Sequence, residues 1–554
     1  MSTRFLFAFV VFLAGCGTAW PGEDTRDLEA SVRDYPRAWV ARGLYPVTVD
    51  VRSESGRPIR VMMSSRWSVM FRNATLPPRT ATRFEFTSLE RYSRVSVSSA
   101  GTEMNDSSVA PFFDYGYING SYPAPLACLN SYLLRELELL DPADKPANIN
   151  HNALTLDELP GRWQSYVGFV GILLLSPGEA SSIRSGQREA IALWVRWFGG
   201  RVWLAGPGAA EAARTLGLDL SAAPPYDMGE GEVLRHSIGN GYVYVQPEAD
   251  AAVLAAHLPS EQMVNPLSPY LMREHEYTYG PTWLFDTLAG LSTNLVIGCL
   301  LALGLIMGPL NYWFIRRRKN SLLFFVTTPL IAIVGTVVIF LGAYAEEGVG
   351  GVENRFAVLV RGDGTNDAMV FDAHGVRSGF FVPTPRFSDD SLVLPVQNER
   401  DELQTDLTDG VRLVSGWLKP RFPTGFVAIR PVVSRMNVSV TEENGVLTAV
   451  NDIGFAVSSM AAIDAEGAVH VAENITPGGR KPMRKLSEDD GEIAMSDLLL
   501  AVKKLTDGAE IFKGVTLIAR CDGLPYLDVE GLSATLLDGE YYYVVAGGKK
   551  GVGP

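Results

Sequence analysis

The stretch Leu288–Tyr344, LAGLSTNLVIGCLLALGLIMGPLNYWFIRRRKNSLLFFVTTPLIAIVGTVVIFLGAY, decides the architecture. Two apolar runs, 288–315 and 321–344, flank a basic stretch of Arg316, Arg317, Arg318, Lys319 and Asn320 at 316–320. Each run exceeds the about 20 residues that a helix needs to cross a hydrocarbon core of roughly 30 Å. A helix satisfies its own backbone hydrogen bonds, so the reading is a transmembrane helical hairpin. Cationic loops stay on the cytoplasmic side, so Arg316, Arg317, Arg318 and Lys319 set the orientation, and both flanks of the hairpin are expected outside the cytoplasm. No ionisable residue lies deep in either run, so an ion or proton path made by these two helices alone is not expected.

At 554 residues the chain is too long for one core. Its hydrophobic content of 47% with 20% charged residues suits folded domains plus a membrane segment. The net charge of −14 argues against nucleic acid, whose phosphates call for a basic face. At the N-terminus, Arg4 followed by the short apolar run Phe5–Leu13 reads as a signal peptide. Residues 1–16 end in Leu13-Ala14-Gly15-Cys16, which looks like a bacterial lipobox with Cys16 as the lipidated residue; the alternative is an ordinary signal peptide that contains a cysteine. Lipid on Cys16 would add a modest second anchor beside the hairpin. Cys128 and Cys521 are both external in this topology, so a disulfide and two buried free thiols are both open readings.

Residues Asp24–Pro36 are polar and read as a tether. From 37 to 112, apolar residues recur at every second position, as in Tyr45–Arg52, Ile59–Met63, Trp67–Phe71, Thr82–Phe86 and Ser93–Val97, which predicts an antiparallel β-sandwich. From 113 to 275 the period changes. Leu126–Leu140 reads as a helix, Val167–Leu175 as a strand covered on both faces, Gln187–Phe198 as an amphipathic helix ended by Gly199-Gly200, and Arg201–Ala205 as a second buried strand. Gly206-Pro207-Gly208 then turns the chain into a helix at Ala209–Leu216, and a further strand follows at Gly239–Val245. This alternation predicts an α/β unit with a parallel sheet. Residues 352–554 read as a β-rich region with one helical stretch at Leu498–Leu505. The six histidines are scattered, His275-Glu276 does not extend into a zinc-binding pattern, and Glu488-Asp489-Asp490 and Asp363–Asp367 lack calcium-loop spacing. No metal and no cofactor is expected.

Leu159-Pro160, Trp163, Val167–Leu175, Gln187, Trp194-Val195, Gly199-Gly200 and Val202–Gly206 together resemble the class I glutamine amidotransferase-like domain of a family of bacterial envelope membrane proteins. Gly308-Pro309-Leu310-Asn311-Tyr312 followed by arginines resembles the Gly-Pro-x-Asn-Tyr hairpin of the same family, and Val450-Asn451-Asp452 with Pro477-Gly478-Gly479 resembles its C-terminal β-sandwich. The resemblance implies a nucleophile elbow after the second strand. Here Ala205-Gly206-Pro207-Gly208 stands there without a cysteine, so the thioester chemistry of true amidotransferases has no nucleophile. A degenerate domain is expected.

The chain is thus expected to be a multidomain protein of the bacterial inner membrane: β-sandwich, α/β domain, two transmembrane helices and a C-terminal β-rich region. It is expected to be non-enzymatic, an envelope interaction or scaffold lipoprotein with membrane lipid and envelope or membrane proteins as partners. The rival is an extracytoplasmic small-ligand-binding protein whose crevice lies at Ser176, Gly206 and Gly208, since α/β sheets bind ligands at the carboxyl ends of their strands. A hydrolase with another nucleophile is the third reading.

Overall fold

The computed structural model describes residues 28–34, 44–109, 126–257, 282–347, 351–504 and 515–546, with breaks inside these ranges. The signal and lipobox, including Cys16, and residues 258–275 of the predicted α/β domain lie outside the described residues, as does Lys319.

Strict alternation builds the first body. Val47, Val49 and Val51 are buried along Tyr45–Ser53, and Ile59, Val61 and Met63 along Arg57–Ser65, so each strand gives one face to a common core. Tyr45–Ser53 lies in a three-stranded sheet between Leu28–Asp34 and Ala81–Ser88. The segment expected as a polar tether is therefore partly an edge strand, because Leu28, Ala30 and Val32 alternate among its charges and pack on the core. The opposing sheet has seven strands, in the order Arg386–Phe387, Val411–Ser415, Leu403–Asp406, Ser68–Leu76, Arg57–Ser65, Ser93–Ser99 and Thr102–Val109. Three of these come from the far side of the hairpin. Leu403–Asp406 runs parallel to Ser68–Leu76, and Leu403, Leu413 and Trp417 share the core of Val61 and Phe86.

The second body is a three-layer α/β unit. Leu126–Cys128, His151–Ala153, Ile172–Leu175, Arg201–Ala205 and Gly241–Gln246 are parallel, and Leu234–Ile238 with Tyr226–Asp227 completes one edge antiparallel. Ser185–Phe198 and Ala209–Thr215 cover one face, Ser131–Leu139 and Ala251–His257 the other. Two readings are corrected here. The run 126–140 is a short strand followed by a helix, and 167–175 divides into the end of helix Gln164–Val167 and the strand Ile172–Leu175. Apolar runs alone do not fix where a turn cuts them.

A nine-stranded mixed sheet forms the third body, with Val352–Gly362 and Thr535–Ala546 parallel at its centre and Asp367–Arg377 and Thr424–Val433 on one side of them. One of its faces (Phe356, Val358, Phe371) joins the core under helix Ser185–Phe198. A small sheet of Val438–Glu443, Val446–Asn451 and Arg480–Pro482 covers the other face. Asn451 Nδ2 donates to the carbonyls of Phe455 (2.8 Å) and Ile475 (3.1 Å), and the Asn451 amide donates to Gly479 O at 3.1 Å, so the asparagine ties its turn to Pro477-Gly478-Gly479. The helix in this part runs Glu488–Lys504. The three bodies also meet at one carboxylate: Asp389 binds Arg72 of the sandwich at 3.1 Å and Arg162 of the α/β unit.

Among the described residues, two helices are long and apolar enough to cross a membrane. The first runs through Thr293–Leu305, a π-helical turn at Ile306–Leu310 and Asn311–Arg318; the second is Leu323–Glu347. Leu288, expected to begin the first span, is instead buried in the body outside it. Apolar side chains crowd the outer surface of the pair, with Leu301 70% and Phe325 78% exposed.

Candidate functional site

The hairpin motif is a polar clasp. Pro309 has no N–H to give its helix, and the backbone there widens into the π turn. The next turn points Asn311 inward, where its Nδ2 donates to Thr328 Oγ1 at 3.0 Å and its Oδ1 accepts from Thr327 Oγ1 at 2.8 Å. Gly335 lets the helices approach elsewhere, since a Cβ there would lie 2.3 Å from Leu303 Cδ1. Replacing Asn311 by Leu removes both hydrogen bonds between the helices, leaving Thr327 only its bond to Leu323 O at 2.9 Å, and is expected to loosen the helix pair by about 1–2 kcal/mol; a denaturant titration of the purified protein, following cross-linking between the helices, measures it. Beyond the clasp, Arg317 stacks on Trp313 at 3.8 Å and Arg318 on Phe314 at 5.5 Å, which sets aromatic rings beside the basic turn.

Ser176, Gly206 and Gly208 do come together, at the carboxyl ends of Ile172–Leu175 and Arg201–Ala205. A Cβ on Gly206 would lie 3.5 Å from Pro177 Cδ. Their polar groups are already used locally. Ser176 Oγ accepts the Glu179 amide at 3.3 Å while Glu179 Oε2 accepts the Ser176 amide at 2.8 Å, a reciprocal helix cap. The Gly206 amide donates to Gln246 O at 2.9 Å, and Gly208, at φ +86°, starts the seven-residue helix Ala209–Thr215. Cys521 is a buried free thiol whose ionisation burial pushes up to about 12; the Cys128 side chain lies outside the described residues.

The most concentrated chemistry lies where the hairpin meets the nine-stranded sheet, in residues that sequence reading passed over. Register sets His374 opposite Arg355, with Glu353 and Asp372 on the same face of the two strands. His374 Nδ1 is 2.6 Å from Glu353 Oε1, and Arg355 grips Asp372 with both Nε (2.8 Å) and Nη2 (2.6 Å). His374 Nε2 lies 3.1 Å from Asp372 Oδ2 but off the line of a hydrogen bond, so that contact is mainly Coulombic. The imidazole also stacks on Phe426 with ring centres 4.6 Å apart. Asp372 and His374 are completely buried. Burial alone would drive His374 neutral, but Asp372 and Glu353 hold its pKa above the ordinary value. Burial likewise opposes the Asp372 carboxylate, yet His374 and Arg355 keep it well below the usual carboxylate range. With the imidazolium present the cluster has two cations and two anions. Neutral His374 would leave one buried negative charge unmatched.

The opposite face of the same strands receives the chain entering the first helix. Asn354 Nδ2 donates to Leu284 O at 2.8 Å and Arg377 Nη1 to Leu288 O at 3.0 Å. After the second helix, Gly351 sits at φ +92°, and a Cβ there would come 2.3 Å from Arg377 O. Gly351→Ala therefore combines a left-handed backbone with an overlap, and a loss on the order of 1–3 kcal/mol is expected in a thermal melt.

Comparisons with protein-family models, curated proteins and solved structures return no match. The family resemblance rests on the motif residues themselves. The class the fold defines is a β-rich multidomain chain with a three-layer α/β unit and two helices able to cross a membrane.

Proposed function

We propose that the chain is a non-enzymatic interaction or scaffold lipoprotein of the bacterial envelope, held in the cytoplasmic membrane by its hairpin and by lipid on Cys16, with its three bodies outside. The observation that carries the reading is the interleaving of the two flanks. Strand Leu403–Asp406 pairs with Ser68–Leu76 across the hairpin, and the core under helix Ser185–Phe198 includes Phe356 and Tyr542. Both hairpin ends then emerge on one side of the bilayer, and among the described residues the basic turn faces the other. A broad rigid body coupled so closely to its anchor suits holding partners at a fixed height and orientation. A second reading, a small-ligand-binding protein, draws on the adjacent Ser176-Pro177 and Gly206–Gly208 turns; a hydrolase is a third.

Cross-linking in intact membranes followed by mass spectrometry of the purified complexes tests the proposal. A reproducible set of envelope or membrane proteins is the expected result. If the protein is recovered alone, the scaffold reading fails and the α/β unit becomes the target of a small-molecule screen.

A further inference from the structure

One end of the nine-stranded sheet gathers the described connections to the hairpin. Gly351 O accepts the Thr535 amide at 3.0 Å, Val352 pairs with both Thr535 and Arg377, and Ser378 bridges to Pro420 while its hydroxyl donates to Lys419 O at 2.8 Å. Leu284 and Leu288 are held to the same strand ends. The second helix ends at Glu347 and the sheet is reached at Gly351, so residues 348–350 are the whole tether. The four Cα steps from Glu347 to Gly351 span at most about 14 Å, whatever path they take. This end of the sheet is therefore confined to the neighbourhood of the helix terminus.

The same end carries apolar side chains that the fold leaves uncovered. Leu536 and Leu537 are 48% and 53% exposed, and Phe422 is 38% exposed. Adjacent strand residues ordinarily face opposite sides, one in and one out. Here the pairing with Val352–Gly362 slips between Glu353 and Asn354, with Leu536 opposite Glu353 and Asp538 opposite Asn354. Leu537 is the extra residue of that bulge, and the bulge leaves both leucines outside. The ammonium of Lys419 lies 5.6 Å from the centre of the Phe422 ring, an aromatic–cation pairing that suits an interface between apolar and wet surroundings.

We propose that this end of the sheet rests on the outer surface of the bilayer, with Phe422, Leu536 and Leu537 seated among the lipid headgroups. The occupant follows from the tether: the surface continuous with a membrane helix and tethered within about 14 Å of its end meets lipid before anything else. Docking fixes the tilt of the whole body, because the buried cluster and the hairpin connections lie on the same strands. The inference rests on the hairpin crossing the membrane.

Full-length protein reconstituted in phospholipid vesicles, with a photoactivatable diazirine on either the headgroup or the acyl chain, separates the two. Headgroup label is expected on the peptides holding Lys419–Phe422 and Thr535–Leu537, and acyl-chain label on Leu323–Gly342. Val446 and Leu500, exposed elsewhere on the body, should take neither. The paired exchange of Leu536→Asp and Leu537→Asp, both on the surface, should abolish label at 535–537 and leave the thermal melt unchanged. If 419–422 and 535–537 are labelled no more than Leu500 while Leu323–Gly342 is labelled, the surface stands clear of lipid or is covered by a partner or a second copy, and the proposal falls. If Leu323–Gly342 takes no acyl-chain label, the membrane reading falls and takes this one with it.

Discussion

Replacing His374 by Gln is expected to destabilise the protein by about 3–5 kcal/mol, the cost of leaving a buried charge without its partner. The substitution keeps a side chain that can donate to Glu353 but removes the positive charge, so Glu353 and Asp372 keep Arg355 and the more distant, half-buried Arg430 but lose the cation between them. Removing one of the excess charges should restore part of the loss. Glu353→Gln in the His374→Gln background is therefore expected to cost less than the sum of the two single changes, and a double-mutant cycle by urea denaturation in detergent measures the coupling. Equal and additive losses would mean that the cluster acts by packing alone.

The same cluster sets a dependence on pH. His374 has a folded pKa above its ordinary 6.5, so its contribution is complete below that value and is lost as pH rises through the folded one. Asp372 works in the other direction: its contribution is complete above the ordinary 3.8 and is lost only as pH falls toward its depressed folded value. Arg355, Arg430, Glu353 and Tyr541 complete the charged and titratable surroundings of the pair. Stability is thus expected to hold across mildly acidic pH and to decline on the alkaline side of neutrality. His374→Gln should flatten the alkaline decline.

Elements with a strong period were readable from the chain. The hairpin, the alternating strands Tyr45–Ser53 and Arg57–Ser65, and the strand-turn-helix at Arg201–Thr215 each follow from local pattern. Pairing across hundreds of residues left no such mark. Nothing local says that Leu403–Asp406 joins Ser68–Leu76, because a parallel pairing is chosen by the tertiary fold and not by a turn. The buried cluster did have a faint signal. Glu353 and Arg355, and Asp372 and His374, are each spaced by two within apolar strands, so each pair shares one face. Charged residues on the inward side of a strand call for partners. Scanning the histidines for metal spacing misses this, since the partners of His374 are set by strand register. The strand Leu28–Asp34 was missed for a simpler reason: its charges on the outward face conceal the alternation of Leu28, Ala30 and Val32.

Ending the chain at residue 290 is expected to abolish folding of the sandwich, although all of 37–112 would remain. Its seven-stranded sheet would lose Arg386–Phe387, Leu403–Asp406 and Val411–Ser415, which leaves Ser68–Leu76 as a bare edge. The core would lose Leu403, Leu413, Trp417 and Phe426, four large side chains that pack against Val61, Met63 and Phe86. Burial of each such side chain is worth about 1.5–3 kcal/mol, so the four together, about 6–12 kcal/mol, are as large as the roughly 5–15 kcal/mol by which a domain is stable. The α/β unit would suffer on the same side, because helix Ser185–Phe198 would no longer be covered by Phe356 and Phe371. Limited proteolysis of the shortened and full-length proteins reads the outcome: rapid loss of 44–109 is expected in the shortened chain and protection in the intact one. Co-expressing 351–554 as a separate chain should restore protection if the two flanks recognise each other without the hairpin. A shortened chain that melts cooperatively and resists protease would show that the strands beyond the hairpin decorate a self-sufficient sandwich, and the interleaving that supports the one-sided topology would lose its energetic weight.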